Sequence, residues 1–303
     1  MKQLNDSRRL FMKQAGLLMA GVALSPLDLL AFNKKTNIVS VQLYSVRDDM
    51  GKNPLETLKK VAAIGYKDVE HAGYANGKYY GFTPTEFKKI LNDLGMTMQS
   101  GHSVLGKDHW DATKNDFSDS WKKTIDDAAT VGQKYVISPW LDITLRKNFE
   151  DLKRFMDVFN KCGELCKKSG VRFGYHNHDF EFSLKLSSKK VYDIIMENTD
   201  PKLVAQQIDI GNMYGGGGRA VELLNQYPNR FELMHVKDEI ATATNHESTI
   251  LGTGIIGVKE VLDLAQKQGG TFYLIIEQEA YQGKAPIDCI KEDLIIMNNW
   301  GYK

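Results

Sequence analysis

From residue 37 onward the chain alternates between two hydrophobic periods. Short runs rich in β-branched and aromatic residues recur at 38–44, 67–70, 96–102, 135–138, 171–176, 203–209, 231–236 and 271–277, and runs of that length and composition predict strands. Between them the apolar residues fall three and four apart, the spacing that lays one apolar stripe along a helix. The segment from Pro54 to Ile64 shows the grammar: proline opens it, apolar residues repeat at helical spacing, and Gly65 closes it. The helical segments 85–94, 121–131, 149–168 and 258–268 are likewise followed by Gly95, Gly132, Gly170 and Gly269, positions where glycine takes the left-handed turn into the next strand.

Strand–helix alternation implies parallel strands joined by right-handed crossovers, in either an open doubly wound sheet or a closed barrel. Eight strand–helix pairs favour closure, and no Gly-x-Gly-x-x-Gly follows the first strand as a dinucleotide-binding open sheet would show. The expected fold is therefore an α/β protein, a (β/α)₈ barrel. One domain is expected over residues 37–303, because no proline- or serine-rich linker interrupts the alternation. Longer connections at 73–82, 103–116 and 241–257 carry recognition on such a scaffold.

The chain before residue 37 reads differently. Ser7-Arg8-Arg9-Leu10-Phe11-Met12-Lys13 precedes an apolar stretch from Ala15 to Phe32 that is broken by Pro26 and Asp28. It resembles a twin-arginine export signal over residues 1–32, which implies a periplasmic protein, with an amphipathic helix or a retained anchor as alternatives. The stretch falls short of the roughly 20 apolar residues of a spanning helix, so no stable membrane span is expected after processing. The whole chain is 42% hydrophobic and 25% charged, in the range of soluble globular proteins. Its 39 lysines and arginines nearly cancel 38 aspartates and glutamates, which leaves no broad basic field for nucleic acid. Of three cysteines, Cys162 and Cys166 sit one helical turn apart and Cys289 is remote; with no Cys-x-x-Cys pattern, free thiols are expected.

Candidate chemistry gathers at the ends of the predicted strands: Glu70, His102, His176 with His178, Asp209, His235 and Glu277. A lone carboxylate there is ordinarily a helix cap, and a lone histidine a satisfied polar group. Four consecutive strands ending in His176, Asp209, His235 and Glu277 call for another explanation. Two imidazoles and two carboxylates suit a divalent cation such as Mn²⁺, Co²⁺, Fe²⁺, Zn²⁺ or Mg²⁺. Lys237 and His178 each lie two residues past a strand-end histidine and so face the same side. Lys237 suits an oxyanion or a sugar hydroxyl, with a solvated salt bridge as the alternative; His178 suits substrate contact or proton transfer. Glu70 and His102 are candidates for substrate contact. The glycines 215–218 before Arg219, and Gly252-Thr253-Gly254, could bring backbone amides to an anion or form turns; neither is a Walker motif.

Gly174-Tyr175-His176-Asn177-His178, Asp209-Ile210-Gly211-Asn212, Met234-His235-Val236-Lys237-Asp238 and Ile276-Glu277 resemble the fifth-to-eighth-strand motifs of the xylose-isomerase-like TIM barrel superfamily. That superfamily includes sugar phosphate isomerases and epimerases, ketose 3-epimerases, inosose dehydratases and an endonuclease IV branch, and the resemblance covers essentially residues 37–303. It implies that Asp209, His235 and Glu277 hold the metal, with His176 in the fifth-strand place where the epimerases usually have glutamate. In those enzymes the fifth- and eighth-strand glutamates work as base and acid on opposite faces of the substrate, so His176 is a departure that bears on the reaction. The expected function is a divalent-metal-dependent isomerase or epimerase that abstracts a proton next to the carbonyl of a small carbohydrate, through Glu277, His178, Lys237 and Glu70. Substrate contacts are expected from His102, Glu70, His178 and Lys237. The alternative is a 3-keto-glycoside lyase on the same scaffold. An endonuclease IV-like phosphodiesterase and a non-catalytic sugar-binding barrel are more remote alternatives, and the resemblance leaves a homo-oligomer open.

Overall fold

A computed structural model describes residues 37–303 apart from residue 244. The paired-arginine segment lies outside the described residues. Eight strands, β1 (Ile38–Gln42), β2 (Asp68–His71), β3 (Thr97–His102), β4 (Tyr135–Ser138), β5 (Arg172–His176), β6 (Val204–Asp209), β7 (Phe231–Val236) and β8 (Tyr273–Ile276), close into a barrel in chain order. Every pairing is parallel, and β1 completes the ring against β8. Closure is as the eight repeats predict.

The strand period of two sorts the side chains into separate layers. One parity turns Tyr135, Ile137, Ala205, Leu233, Tyr273 and Ile275 into the barrel, where they form a small apolar cluster. The other parity turns Val39, Val41, Val69, Ile208, Met234, Val236, Leu274 and Ile276 outward into a larger core beneath the helices. The inward stripe of β7 thus runs Leu233, His235, Lys237, from apolar to charged as it nears the mouth. Gly174 belongs to this packing: a Cβ there would stand 2.5 Å from Ile137 Cδ1.

The outer layer comprises α1 (Pro54–Ile64), α2 (Pro84–Asp93), α3 (Asp119–Val131), α4 (Phe149–Lys168), α5 (Val191–Asn198), α6 (Ala220–Gln226), α7 (Val258–Gln268) and α8 (Pro286–Asn299). Among these described helices none is long and apolar enough to cross a membrane. Thr83 caps α2 in a reciprocal box with Glu86, and Ser118 caps α3 by accepting from the Trp121 N–H. Gly132 ends α3 at φ 104°, a left-handed conformation. The three cysteines are free and buried, with Cys162 Sγ and Cys166 Sγ 4.0 Å apart.

Two differences from the sequence reading bear on the mouth. β1 stops at Gln42 rather than running to residue 44, because the Gln42 side chain accepts the Tyr44 N–H (3.1 Å) and starts a 3₁₀ turn over Leu43–Val46. The long connections are not bare loops either. Tyr74–Ala75 pairs with Lys78–Tyr79, Trp110–Asp111 with Asp116–Phe117, and Asp238–Ala241 with His246–Thr249, all antiparallel. Most of these arms are two residues long, too short for alternation to register in sequence.

Candidate active site

Where the inward stripes reach the mouth they bring together Glu70 of β2, His102 of β3, His176 of β5, Asp209 of β6, His235 of β7 and Glu277 just past β8. The donor atoms of Asp209, His235 and Glu277 all lie within 4.8 Å of one another, and His102, His176 and His235 form a second such group that shares His235. Asp209 Oδ2 is buried and accepts no hydrogen bond. It is faced by His235 Nδ1 at 3.8 Å and His176 Nε2 at 3.9 Å, while Lys237 Nζ, at 2.9 Å, lacks hydrogen-bond geometry. Ligand bonds of about 2.0–2.2 Å around one ion leave neighbouring donor atoms roughly 3–4 Å apart. The residues present therefore fit a divalent cation, held by Asp209, His235 and Glu277 with His176 beside them.

The charges agree with that fit. Glu70, Asp209, Glu277 and Glu279 gather around the Lys237 ammonium and the His235 imidazole. Lys237 Nζ lies 2.8 Å from Glu277 Oε2 and 2.5 Å from Glu279 Oε1. Burial alone would lower the Lys237 pKa, but Asp209, Glu277 and Glu279 outweigh it and hold the ammonium well above its usual value. Burial would raise Glu277, yet Lys237 and His235 keep it well below the usual carboxylate range. For His235 the tendency of burial to neutralise is overcome by Glu277 and Glu70, which push the imidazole up to about 10. His176 goes the other way: burial, then its neighbours His235 and His102, hold it well below the usual histidine value. Burial and Lys237 pull His178 down to about 4, so it is a neutral imidazole at pH 7.

Beneath this centre Glu70 is a hub. His235 Nε2 lies 2.6 Å from Glu70 Oε1, His102 Nε2 3.1 Å from the same oxygen, and Gln42 and Gln207 donate to the carboxylate at 2.8 and 2.7 Å. Ser100 donates as well. Gln207 Oε1 lies between His102 Nε2 (2.8 Å) and His176 Nδ1 (2.9 Å). Each histidine is thus oriented from behind, with His235 Nδ1 turned toward Asp209 and Glu277. Glu70 is fully buried, with its carboxylate against His235 and His102 rather than in reach of substrate as the sequence reading expects. Outer carboxylates that orient ligand histidines typically account for 10–100-fold in metal affinity. Glu70→Gln is expected to weaken Zn²⁺ binding by about that factor in calorimetry, and unaltered affinity would separate Glu70 from the metal centre.

The family description "Xylose isomerase-like TIM barrel" matches residues 58–300. The chain belongs to that family. It is 33% identical to an inosose dehydratase of Clostridium perfringens (strain 13 / Type A) over 196 residues, 61% of this chain and 55% of the relative. The crystal structure of a sugar phosphate isomerase/epimerase from Parabacteroides distasonis ATCC 8503 superposes with a TM-score of 0.73 at 25% identity, covering 86% of this chain and 98% of that one. The IOLI protein, whose crystal structure holds a zinc atom, shares the fold at 13% identity and a TM-score of 0.67, covering 88% of this chain and 99% of that chain. The chain spans about half the length of the curated relatives it matches.

On this xylose isomerase-like barrel a cavity of about 840 Å³ opens at the mouth. His102, His176, His178 and Glu277 line it. Lys237 does not; its side chain is 1% exposed and faces Asp209, Glu277 and Glu279, a buried ion pair rather than the solvated salt bridge expected as the alternative. Glu279 lines the cavity and escaped the sequence reading, although it stands two residues past Glu277 by the same alternation that singles out Lys237 and His178. Gln42, Ser100 and Gln207 escaped too; their signal is a polar residue at an inward strand position. The glycine run serves packing: a Cβ on Gly216 would stand 2.1 Å from the Asp179 carbonyl oxygen, where the connections after β5 and β6 touch. Gly252 and Gly254 do present amides to an anion, and that anion is Asp238, which accepts from Gly252, Gly254 and Ile256 at 2.8–3.2 Å. The aspartate of the His-x-Lys-Asp motif therefore shapes the connection after β7.

Proposed function

We propose that this barrel is a metal-dependent lyase that eliminates a substituent β to the carbonyl of a polyhydroxylated ring. The observation that carries the reading is the pairing of His176 with His178 at the end of β5, where a two-base epimerase would place a second carboxylate. A divalent metal held by His176, Asp209, His235 and Glu277 would supply Lewis acidity toward the carbonyl and its neighbouring hydroxyl. His178 is the neutral base at the cavity wall. It takes the proton from the carbon next to the carbonyl, the electron pair forms the new C=C bond as the β C–O bond breaks, and the proton returns to the departing oxygen. One imidazole serves both transfers on one face, which elimination allows and epimerisation does not. The relatives named inosose dehydratases support the same class. Export to the periplasm, on the strength of the Arg8-Arg9 motif, completes the proposal.

The test is incubation of a ketocyclitol or a 3-keto-glycoside in D₂O with the Mn²⁺-loaded protein. An unsaturated ring together with released water or alcohol is expected, and a chelator should stop both. Clean interconversion of a free sugar would return the isomerase or epimerase reading. Interconversion of a free sugar without solvent deuterium in the product would point to hydride transfer and overturn proton abstraction.

A further inference from the structure

The cavity at the mouth is larger than the centre needs. Its volume of about 840 Å³ lies in the upper part of the roughly 300–1,000 Å³ range that encloses drug-sized ligands, beyond what one sugar ring fills. It touches His176 at the end of β5 and Glu277 just past β8, and also Ser120 and Thr124 of α3 with Asn76 and Gly77 of the hairpin after β2. Since α3 belongs to the outer layer, a cavity that reaches both must run radially across the mouth, between the connections after β2 and β3.

That outer arm is walled as carbohydrate sites are walled. Tyr74 donates to Asp127 Oδ2 at 2.6 Å, and Lys123 Nζ lies 2.7 Å from the same oxygen, so an aromatic face and a fixed set of polar groups stand together. Closer in, Trp140 offers a rigid face. Its ring meets His178 and Phe180 edge-on at 5.4 and 5.9 Å, and the Arg146 guanidinium lies 5.2 Å from its centroid. Even so Trp140 is 42% exposed, as is Tyr44, and Val104 is 44% exposed; all three line this cavity. Large apolar side chains left open around a polar centre are what a ligand with a ring face covers.

We infer that the outer arm is a second subsite, and that it takes a sugar ring linked glycosidically to the ring whose carbonyl meets the centre. This rests on the proposed reaction for the role of the inner ring and names its substrate class, a disaccharide-like glycoside rather than a free cyclitol. Calorimetry with the full chain loaded with Mn²⁺ tests it with probes that are not turned over: glucose, cellobiose and trehalose. At least one disaccharide is expected to bind tenfold or more tightly than glucose, and Thr124→Trp, which fills the arm, is expected to bring that ratio close to one. Ser120→Trp, at an exposed position, provides a second obstruction should Thr124→Trp fail to fold. Equal affinities, no binding of any probe, or a preference that survives both obstructions overturns the subsite. The probes undergo no elimination, so a tenfold preference without lyase activity would sink only the reaction.

Discussion

Replacing Asp209 by asparagine is expected to strip the metal and to lower turnover by about a thousandfold, while the barrel stays folded. The variant keeps the shape of the side chain and the cap it gives the Asn212 N–H at 2.7 Å, since asparagine caps as well as aspartate. Lys237 keeps Glu277 and Glu279 and is not left as an unpaired buried charge. What goes is the anionic oxygen that His176 and His235 face. Lewis-acid stabilisation amounts to several kcal/mol, and each 1.36 kcal/mol is about tenfold in rate. Metal content by mass spectrometry and turnover should fall together with little change in melting temperature. Full metal occupancy in the variant would remove Asp209 from the ligand set.

His178→Asn should separate chemistry from metal binding. A positioned base ordinarily contributes about 10²–10⁴-fold, so kcat is expected to drop by that factor while metal content stays full. The backbone is not at issue, because His178 contributes its N–H to Glu181 Oε2 at 2.9 Å irrespective of the side chain. A loss of less than tenfold would pass the role of base to another cavity residue, with Glu279 the first to examine.

The barrel and the ends of its strands were legible in the sequence because both follow from short-range periodicity. Eight strand runs could be counted, and the residues that close them, His176, Asp209, His235 and Glu277, meet in space because parallel strands in a barrel end at one mouth. What could not be read is what depends on the return of the chain from a distance. Glu70 has the same residue type and strand position as a substrate contact. Only the approach of His235 from β7 and Gln207 from β6 makes it the floor of the site. Lys237 looks alike as an oxyanion partner or a salt bridge until Glu279 is seen 2.5 Å away. Trp140 lies past the end of β4 in a segment with no periodicity, and its exposure beside His178 is a property of two connections at once.

The sorting of side chains by strand parity has a further consequence. Within a strand the residues are read two at a time, like a frame, and a single inserted residue before Asp209 in β6 would turn the carboxylate out among the helices and bring Ile208 into the mouth. A change of length in a connection leaves that frame in place and alters only what enters, whereas an unabsorbed change of length in a strand moves it. The donor residues at the strand ends and the entrance can thus be altered separately, so that one frame can be fitted with entrances of quite different size.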